Sequence, residues 1–534
     1  MSTLGDGRID IDRGTVLRGG LLALAGAIAL AVVAPIAWLV VRAFDMGIES
    51  ALALLSSPST VQITVNSALL VTAVTAGSVL LGVPLAVLTA RTDLPFRRFW
   101  TVVLALPLVV PSYIGAFAFV SAFGPRGTLA DLLAPLGVES IPTIYGLQGT
   151  VLVLTLFVYP YVFLTTRAAL LSFDASQIEA ARTLNHSYLG AFRRVVLPQI
   201  APGIAAGALL VGLYTLSDFG TPSIMHYDVF TRMIFVEYNA FGRGRAALLS
   251  VLLLGLTVAI LGIESRLSAD DGNAYAGGRR GYTISLGAWK WPALAFCTLV
   301  VALCLVVPLG VLAMWLFRGG PGYSAGGFAF EWSYGLNSVV VAALAALVAT
   351  VAALPVGYLS ARTDGPLTDL FDRMTYLGYA APGVVVGFAL VYFGVRYLPG
   401  LYQTLPLLIF GYVVRFIPQA VGTTQSSVLQ VDRSLLEAAR TLGHSPLASF
   451  RRVTLPLIAP GVVAGAALVF LTTMKELPAT LLLHPSGFKT LVTYIWQVQD
   501  AGYYGAAAVP ALVLVAVSGL SMLVILTQEG DDVR

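Results

Sequence analysis

Residues 179–203 read EAARTLNHSYLGAFRRVVLPQIAPG and residues 437–461 read EAARTLGHSPLASFRRVTLPLIAPG, identical at 19 of 25 positions. Both stretches are too polar to lie inside a bilayer, yet each sits between apolar blocks long enough to cross one. Helices that face lipid need only be apolar, so their sequences drift apart. Two polar loops this alike imply that each meets a similar partner surface.

Each loop carries its own start and stop signals. Ser176 with Glu179, and Ser434 with Glu437, match the S-x-x-E capping box that opens a helix, which should end near Leu184 and Leu442. Asn185 and Gly443 follow, the two residue types that best tolerate a left-handed helix terminus. Ser187 and Ser445 can cap a second short helix, Pro446 suits its first turn, and Pro198 and Pro456 should end it. A helix, a sharp turn and another helix make a block stiff enough to transmit a push.

The flanking chain has 534 residues, 57% hydrophobic and 11% charged, too little charge for the surface of a soluble protein of that size. Apolar blocks that meet the requirement of roughly 20 residues per helical span recur from end to end. The first set is 19–44, 62–90, 99–123, 145–170, 201–222 and 246–263; the second is 292–317, 335–361, 374–398, 404–428, 459–483 and 506–527. Residues 264–290, between the sets, are Gly-rich, charged and without apolar periodicity. The chain therefore divides into a first half, 1–265, a cytoplasmic linker, 266–291, and a second half, 292–534, with the paired loops at 176–203 and 434–461.

Asn66-Ser67 recurs as Asn337-Ser338, Arg91-Thr92-Asp93 as Arg362-Thr363-Asp364 and Pro111 as Pro382, all 271 apart. Farther on the offset is 258, matching Pro160 to Pro418 and Glu179 to Glu437. Both halves have six spans in the same inside–outside sense. The fold class expected is an all-α integral membrane protein of 12 transmembrane helices, two parallel six-helix repeats about a pseudo-two-fold axis along the membrane normal. With the N-terminus in the cytoplasm, 21 of the 31 Lys and Arg residues fall on cytoplasmic segments, 9 on external ones and Arg415 within a span, which favours both termini inside. That placement explains the formal charge of +4 without a nucleic-acid partner. The first block exceeds a signal-peptide core and is expected to stay as a span. Cys297 and Cys304 lie inside one apolar block and show no redox or metal-ligand spacing.

No catalytic residue and no metal ligand set can be assigned. Lys290, Lys475 and Lys489 follow Trp289, Met474 and Phe488, so none closes the G-K-[S/T] of a phosphate-binding loop, and the four His residues are scattered. The energy source must be another polypeptide. Ionisable groups inside a span cost about 2.5 to 3.5 kcal/mol each on insertion scales. Asp218 in LSDFGTP and Glu476 in MKELPAT, 258 apart and therefore equivalent, stand in the fifth span of each half with Lys475 beside the second. Helical rise puts Asp218 roughly 22 Å from the cytoplasmic end. Two readings stand. Asp218, Glu476 and Lys475 line a translocation pathway with a cation-attracting constriction, or the carboxylates satisfy backbone amides freed near Pro222 and Pro478, or pair with Lys475 or Arg415. Tyr227, Asp228, Arg232, Glu237, Tyr238, Tyr503 and Tyr504 on external loops read either as oxygen ligands for a hard cation or as an interfacial belt.

The pattern E-A-A, then glycine, then L-P resembles the EAA loop of permease subunits in binding-protein-dependent ABC importers. Over nearly the whole chain, ARTDLP at 90–95, PSYIGAFAF at 111–119, SDFG at 217–220, YDVFTR at 227–232 and MKELPATLLL at 474–483 resemble the fused, two-half permeases of the ferric-iron group. The resemblance implies a type I importer permease in a prokaryotic inner membrane, surrounded by lipid. It implies two copies of a cytoplasmic ABC ATPase, which bind the ATP and magnesium, no cofactor in this chain, and an extracytoplasmic substrate-binding protein. By motif match Glu179, Ala180, Ala181 and Asn185 belong to the first ATPase dock, and Glu437, Ala438, Ala439 and Gly443 to the second. Asn185 departs from the family's glycine, which makes the docks unequal. Permeases for thiamine, polyamine or aminoethylphosphonate share this architecture. A secondary transporter of six plus six helices is the competing class; the twin loops and the lack of a series of buried acids for proton relay stand against it.

Overall fold

The computed structural model describes residues 13–45, 47–124, 127–137, 143–173, 190, 192–240, 242–269, 283–317, 329–363 and 365–531. A long apolar run gives its backbone no partner but itself, so it folds as helix. Among the described residues nine helices are long and apolar enough to cross a membrane: Gly19–Ala43, Pro58–Arg91, Leu147–Ser172, Arg193–Ser217, Arg243–Gly262, Gly287–Phe317, Trp332–Arg362, Leu405–Gln430 and Pro446–Met474. Tyr504–Leu520 is a shorter apolar helix at the twelfth block.

The third block of each half departs from the straight span expected. Arg97–Val109 and the helix from Ser112 are bent by 91°, and Pro366–Ala380 breaks before Gly383–Tyr397. The matched prolines Pro111 and Pro382 are the cause. Proline has no N–H to donate and pushes the preceding residue out of helical geometry. Val110 accordingly sits at φ −80° and ψ 121°. The chain restarts where Ile114 N donates to Pro111 O at 3.0 Å, and Val385 N to Pro382 O at 2.9 Å.

The compact packing units cut across the sequence halves. One contains the chain up to Trp38, Val339–Tyr379 and Ala389–Met474; the other contains Leu39–Ser338, Ala380–Phe388 and the chain from Lys475. In the first unit, Trp38 from the opening span meets Tyr397 of the second half edge-on, ring centroids 4.9 Å apart. In the other, Trp315 from the opening span of the second half is buried, packs on Phe117 at 4.7 Å and donates from Nε1 to Ser121 Oγ at 3.0 Å. Each half's opening helix is thus packed on elements of the other half.

Within each unit the second, fourth and fifth spans of one half form a tight core. Leu70, Val74, Leu154, Val158, Val162 and Val211 are buried together, and so are Ala361, Val428, Val431 and Ile458. Close approach is set by a Gly-x-x-x-Gly pair on each fifth span, Gly203 with Gly207 and Gly461 with Gly465. A Cβ on Gly207 would stand 2.7 Å from Val162 Cα, and one on Gly465 3.3 Å from Ala420 Cα. Val162 and Ala420 are themselves equivalent at the offset of 258, so both halves use one packing solution.

The linker is anchored at its far end. Ile284 N donates to Arg91 O at 2.7 Å, Asp93 N to Ile284 O at 3.1 Å, and Leu286 N to Asp93 Oδ1 at 2.8 Å. Lys290 completes the attachment with an ion pair to Asp93 at 2.8 Å.

Candidate functional site

Of the two repeated loops, the second lies among the described residues. Its helix spans Arg433–Thr441, and its start differs from the capping box expected of Ser434 and Glu437. Asp432 is the cap: its Oδ1 accepts from Ser434 N at 2.9 Å. Val431, before it, is extended at φ −80° and ψ 121°, so the chain turns into the helix two residues earlier than Ser434 allows. These hydrogen bonds from the Ser434 backbone and side chain hold the Asp432 carboxyl below its usual pKa, helped by the charge of Arg362. Glu437 and Ala438 are exposed, and Ala439 is buried.

The helix ends as the glycine predicts. Gly443 has φ +83°, and His444 N donates to Ala439 O at 3.2 Å, the six-to-one bond of a Schellman terminus. Ser445 then caps the next helix, its Oγ accepting from Ala448 N at 3.3 Å, with Pro446 in the first turn. Pro456 does not end that helix. Pro446–Ser449 runs into a π-turn, Phe450–Thr454, and on through Leu455–Met474. A wide turn accommodates a residue that cannot donate, so the helix continues past the proline. The first half shows the same π-turn at Phe192–Val196, leading into Leu197–Ser217. Glu179, Ala180, Ala181 and Asn185 lie outside the described residues.

Apolar side chains on the second loop face outward. Leu435 and Leu447 are about half exposed, and Leu442, at the sharp turn, is 79% exposed. Leucines presented this way on a polar loop form a surface that a partner can cover.

At its other end each fifth span stops at the predicted acidic position. Leu197–Ser217 gives way at Asp218 and restarts as Gly220–Ile224; Leu455–Met474 gives way at Lys475 and restarts as Pro478–Leu483. Asp218 Oδ1 accepts from Thr221 N at 2.9 Å, and Glu476 Oε1 from Ala479 N at 3.1 Å. Each carboxylate therefore satisfies an amide freed by the break. Ser112 donates to Asp218 Oδ2, Tyr214 OH donates to Ser112 Oγ at 3.3 Å, and Thr231 Oγ1 donates to Asp218 O at 2.7 Å. Glu476 is only 6% exposed, and its chain carbonyl accepts from Thr480 Oγ1. Lys475 directs its ammonium to Leu108 O at 3.1 Å, at the break in the third span of the first half. Among the described residues no three His, Cys, Asp or Glu side chains converge.

Several of the external side chains are engaged with neighbours. Arg232 pairs with Asp228, Arg245 with Glu237 at 2.8 Å, Tyr227 OH donates to Asn66 O at 3.4 Å, and Tyr504 stacks on Trp315 at 5.8 Å.

Comparison with known proteins gives a consistent result. The family described as the binding-protein-dependent transport system inner membrane component matches residues 78–319 and again 353–528. The Fe(3+)-transport system permease protein FbpB 2 of Haemophilus influenzae is 33% identical over 498 residues, covering 92% of this chain and 94% of that protein. A probable ABC transporter permease protein of Sinorhizobium fredii, y4fN, is 27% identical over 82% of this chain and 81% of its own length. The ferric transport system permease protein FbpB of Actinobacillus pleuropneumoniae is 25% identical, over 77% of this chain and 63% of its own.

Proposed function

Because this chain belongs to the binding-protein-dependent transport system inner membrane component family, we propose that it is the translocation subunit of an ATP-driven importer that moves ferric iron into the cytoplasm. The relative that is 33% identical over 92% of the chain bears a ferric transport name and supports this choice of substrate. An extracytoplasmic binding protein delivers the ion to the outer face, and two copies of a cytoplasmic ATPase, carrying the ATP and magnesium, dock below. Both termini lie in the cytoplasm.

One observation carries the mechanism: the exposed loop leads through the tight turn at Gly443 into one continuous helix, Pro446–Met474, which is followed directly by Lys475 and Glu476. A push on Leu442 and its neighbours moves a rod about 40 Å long at 1.5 Å per residue, too stiff to absorb the motion locally. Glu179, Ala180, Ala181 and Asn185 take the first ATPase, and Glu437, Ala438, Ala439 and Gly443 the second. ATPase closure displaces both rods and rocks the halves, exposing the Asp218, Glu476 and Lys475 level alternately to each side. The acids offer the ion charge and oxygen donors in passing. A tight chelate would hold a trivalent ion instead of releasing it.

The test is uptake of radiolabelled ferric ion by proteoliposomes containing this chain, the ATPase and the loaded binding protein, with thiamine, polyamine and aminoethylphosphonate as competitors. ATP-dependent uptake that resists all three competitors supports the proposal. Uptake driven by an ion gradient without ATPase overturns it, and displacement of iron by one competitor reassigns the substrate.

A further inference from the structure

The repeated Arg-Thr-Asp tripeptide ends the second span of each half, and its arginine does not reach for lipid headgroups as a terminal arginine ordinarily does. Arg91 is only 3% exposed. Its Nη2 donates to Leu170 O and, at 2.9 Å, to Phe173 O. Arg362 Nη2 donates to Val431 O at 2.7 Å. Phe173 and Val431 are equivalent residues, each the extended cap that closes the fourth span, at φ −68° and ψ 133° and at φ −80° and ψ 121°. The same contact therefore forms twice, in two separately packed units.

A helix leaves its last carbonyls without partners, and its C-terminal end carries partial negative charge. A guanidinium there satisfies both needs with a charge-assisted bond. Its position is what bears on function. Val431 is the last residue before the coupling loop, and Asp432, the next, already caps the coupling helix. No slack separates the clamped carbonyl from the helix that meets the partner. Arg362 also acts electrostatically on the Asp432 carboxyl. Next to the clamp, Ala361, Val428, Val431 and Ile458 join the second, fourth and fifth spans in one buried cluster.

We infer that Arg91 and Arg362 are positioning residues for energy coupling: each ties the root of one coupling loop to the end of the second span, so that displacement of the loop moves the span core as a body. Without the guanidinium the loop root can pivot, and ATPase closure is spent on bending the loop. In the first half the tripeptide has an added duty, because the Arg91 carbonyl and Asp93 also hold the linker through Ile284, Leu286 and Lys290.

This inference rests on the importer reading, and its test separates the two. The readout is the number of ferric ions imported per ATP hydrolysed in the proteoliposomes described above. A variant that merely reduces the amount of folded transporter lowers uptake and hydrolysis together and leaves that ratio alone. Removing the charge-assisted bond, buried at Arg91 and half-buried at Arg362, should lower the ratio at least about tenfold in R362Q and in R91Q. R362K, which restores one cationic donor, should recover most of it. R362M keeps the apolar stem without any donor and should behave as R362Q does. An unchanged ratio in R91Q and R362Q overturns the inference while leaving the importer reading intact. Loss of assembled transporter in both R362Q and R362M also overturns it, since the guanidinium would then determine folding and not coupling. A wild-type chain that needs no ATPase sinks the importer reading itself.

Discussion

Replacing Asp218 by Asn and Glu476 by Gln separates the two duties that these acids can have. As caps they need one acceptor oxygen each, for Thr221 N and Ala479 N. The amides retain that oxygen, and Asn caps a helix about as well as Asp. Ser112 can turn from donating to accepting, since its hydroxyl has two lone pairs. The cost in stability of D218N and E476Q should therefore stay within about 1 kcal/mol. D218A differs, because it leaves the Thr221 amide and the Ser112 hydroxyl without their acceptor. Loss of the cap at about 1 kcal/mol and of satisfied buried groups at about 1–3 kcal/mol gives about 2–4 kcal/mol. Uptake responds to charge in another way. A carboxylate about 4 Å from a passing unit charge contributes up to about 4 kcal/mol at an effective dielectric of 20, so removing both should slow iron uptake at least tenfold, about 1.4 kcal/mol. The assay pairs the thermal midpoint in detergent, read by fluorescence-detected gel filtration, with uptake in proteoliposomes. Uptake within twofold of wild type in the D218N/E476Q double variant, at an unchanged midpoint, would refute the pathway role and leave the carboxylates as caps.

Substituting Asp for Leu442, which is 79% exposed on the described loop, should weaken copurification of the ATPase by one to two orders of magnitude, since burying a leucine contributes about 1.5–3 kcal/mol; equal recovery of ATPase would remove that side chain from the dock. A Cβ on Gly207 meets Val162 Cα at 2.7 Å, whereas one on Gly212 meets nothing closer than Val71 Cγ1 at 3.7 Å. G207A should therefore cost about 1–3 kcal/mol of overpacking while G212A is neutral or stabilising, and a midpoint for G207A at or above that of G212A would contradict the packing. K475M removes the donor from the Leu108 carbonyl and should destabilise by about 1–3 kcal/mol, checked by the same midpoint. Asp432 is held below the usual carboxylate range by the hydrogen bonds from Ser434. Its contribution is present above that range and is lost as pH falls through the folded value, so the protection of the Ser434 amide against exchange, taken relative to its intrinsic rate at each pH, should fall on acidification in wild type and show no such step in D432A.

The spans and the repeat were legible because both are written in composition: apolar runs of bilayer length, and matched polar residues at fixed offsets. Pro111 is visible as a residue, but a hydropathy run does not register one missing N–H, so the break it causes is hidden within an apolar block. Pro456 is the opposite case. Proline forbids one hydrogen bond, and whether the helix stops or widens depends on what holds the flanking turns, here the π-turn at Phe450–Thr454. The sequence does not separate Asp432 from Ser434 as the cap of the helix Arg433–Thr441, since both are good caps; the extended backbone of Val431 decides for the aspartate. Packing of each opening helix on the other half left no signal, since an apolar surface reads the same whether lipid or protein covers it. The Gly-x-x-x-Gly pairs, by contrast, were present in both fifth spans at matched positions and could have been found by asking where backbones must touch.

The departures from symmetry carry a further lesson about how a fused pair diverges. Where both halves need the same part, the repeat keeps the same residues in the same contacts, as with Gly207 and Gly465 or Arg91 and Arg362. Position 475 breaks the pattern, because its equivalent at the offset of 258 is Ser217. A serine there cannot span the distance that the Lys475 ammonium bridges to the Leu108 carbonyl. The lysine ties the end of this span to the break in the third span of the first half, whereas beside Asp218 the donor is the neutral hydroxyl of Ser112. The repeat is thus kept in the caps, where Asp218 and Glu476 each accept from an amide three residues on, and lost beside them, where the second half has the lysine that reaches the Leu108 carbonyl and the first half has a serine.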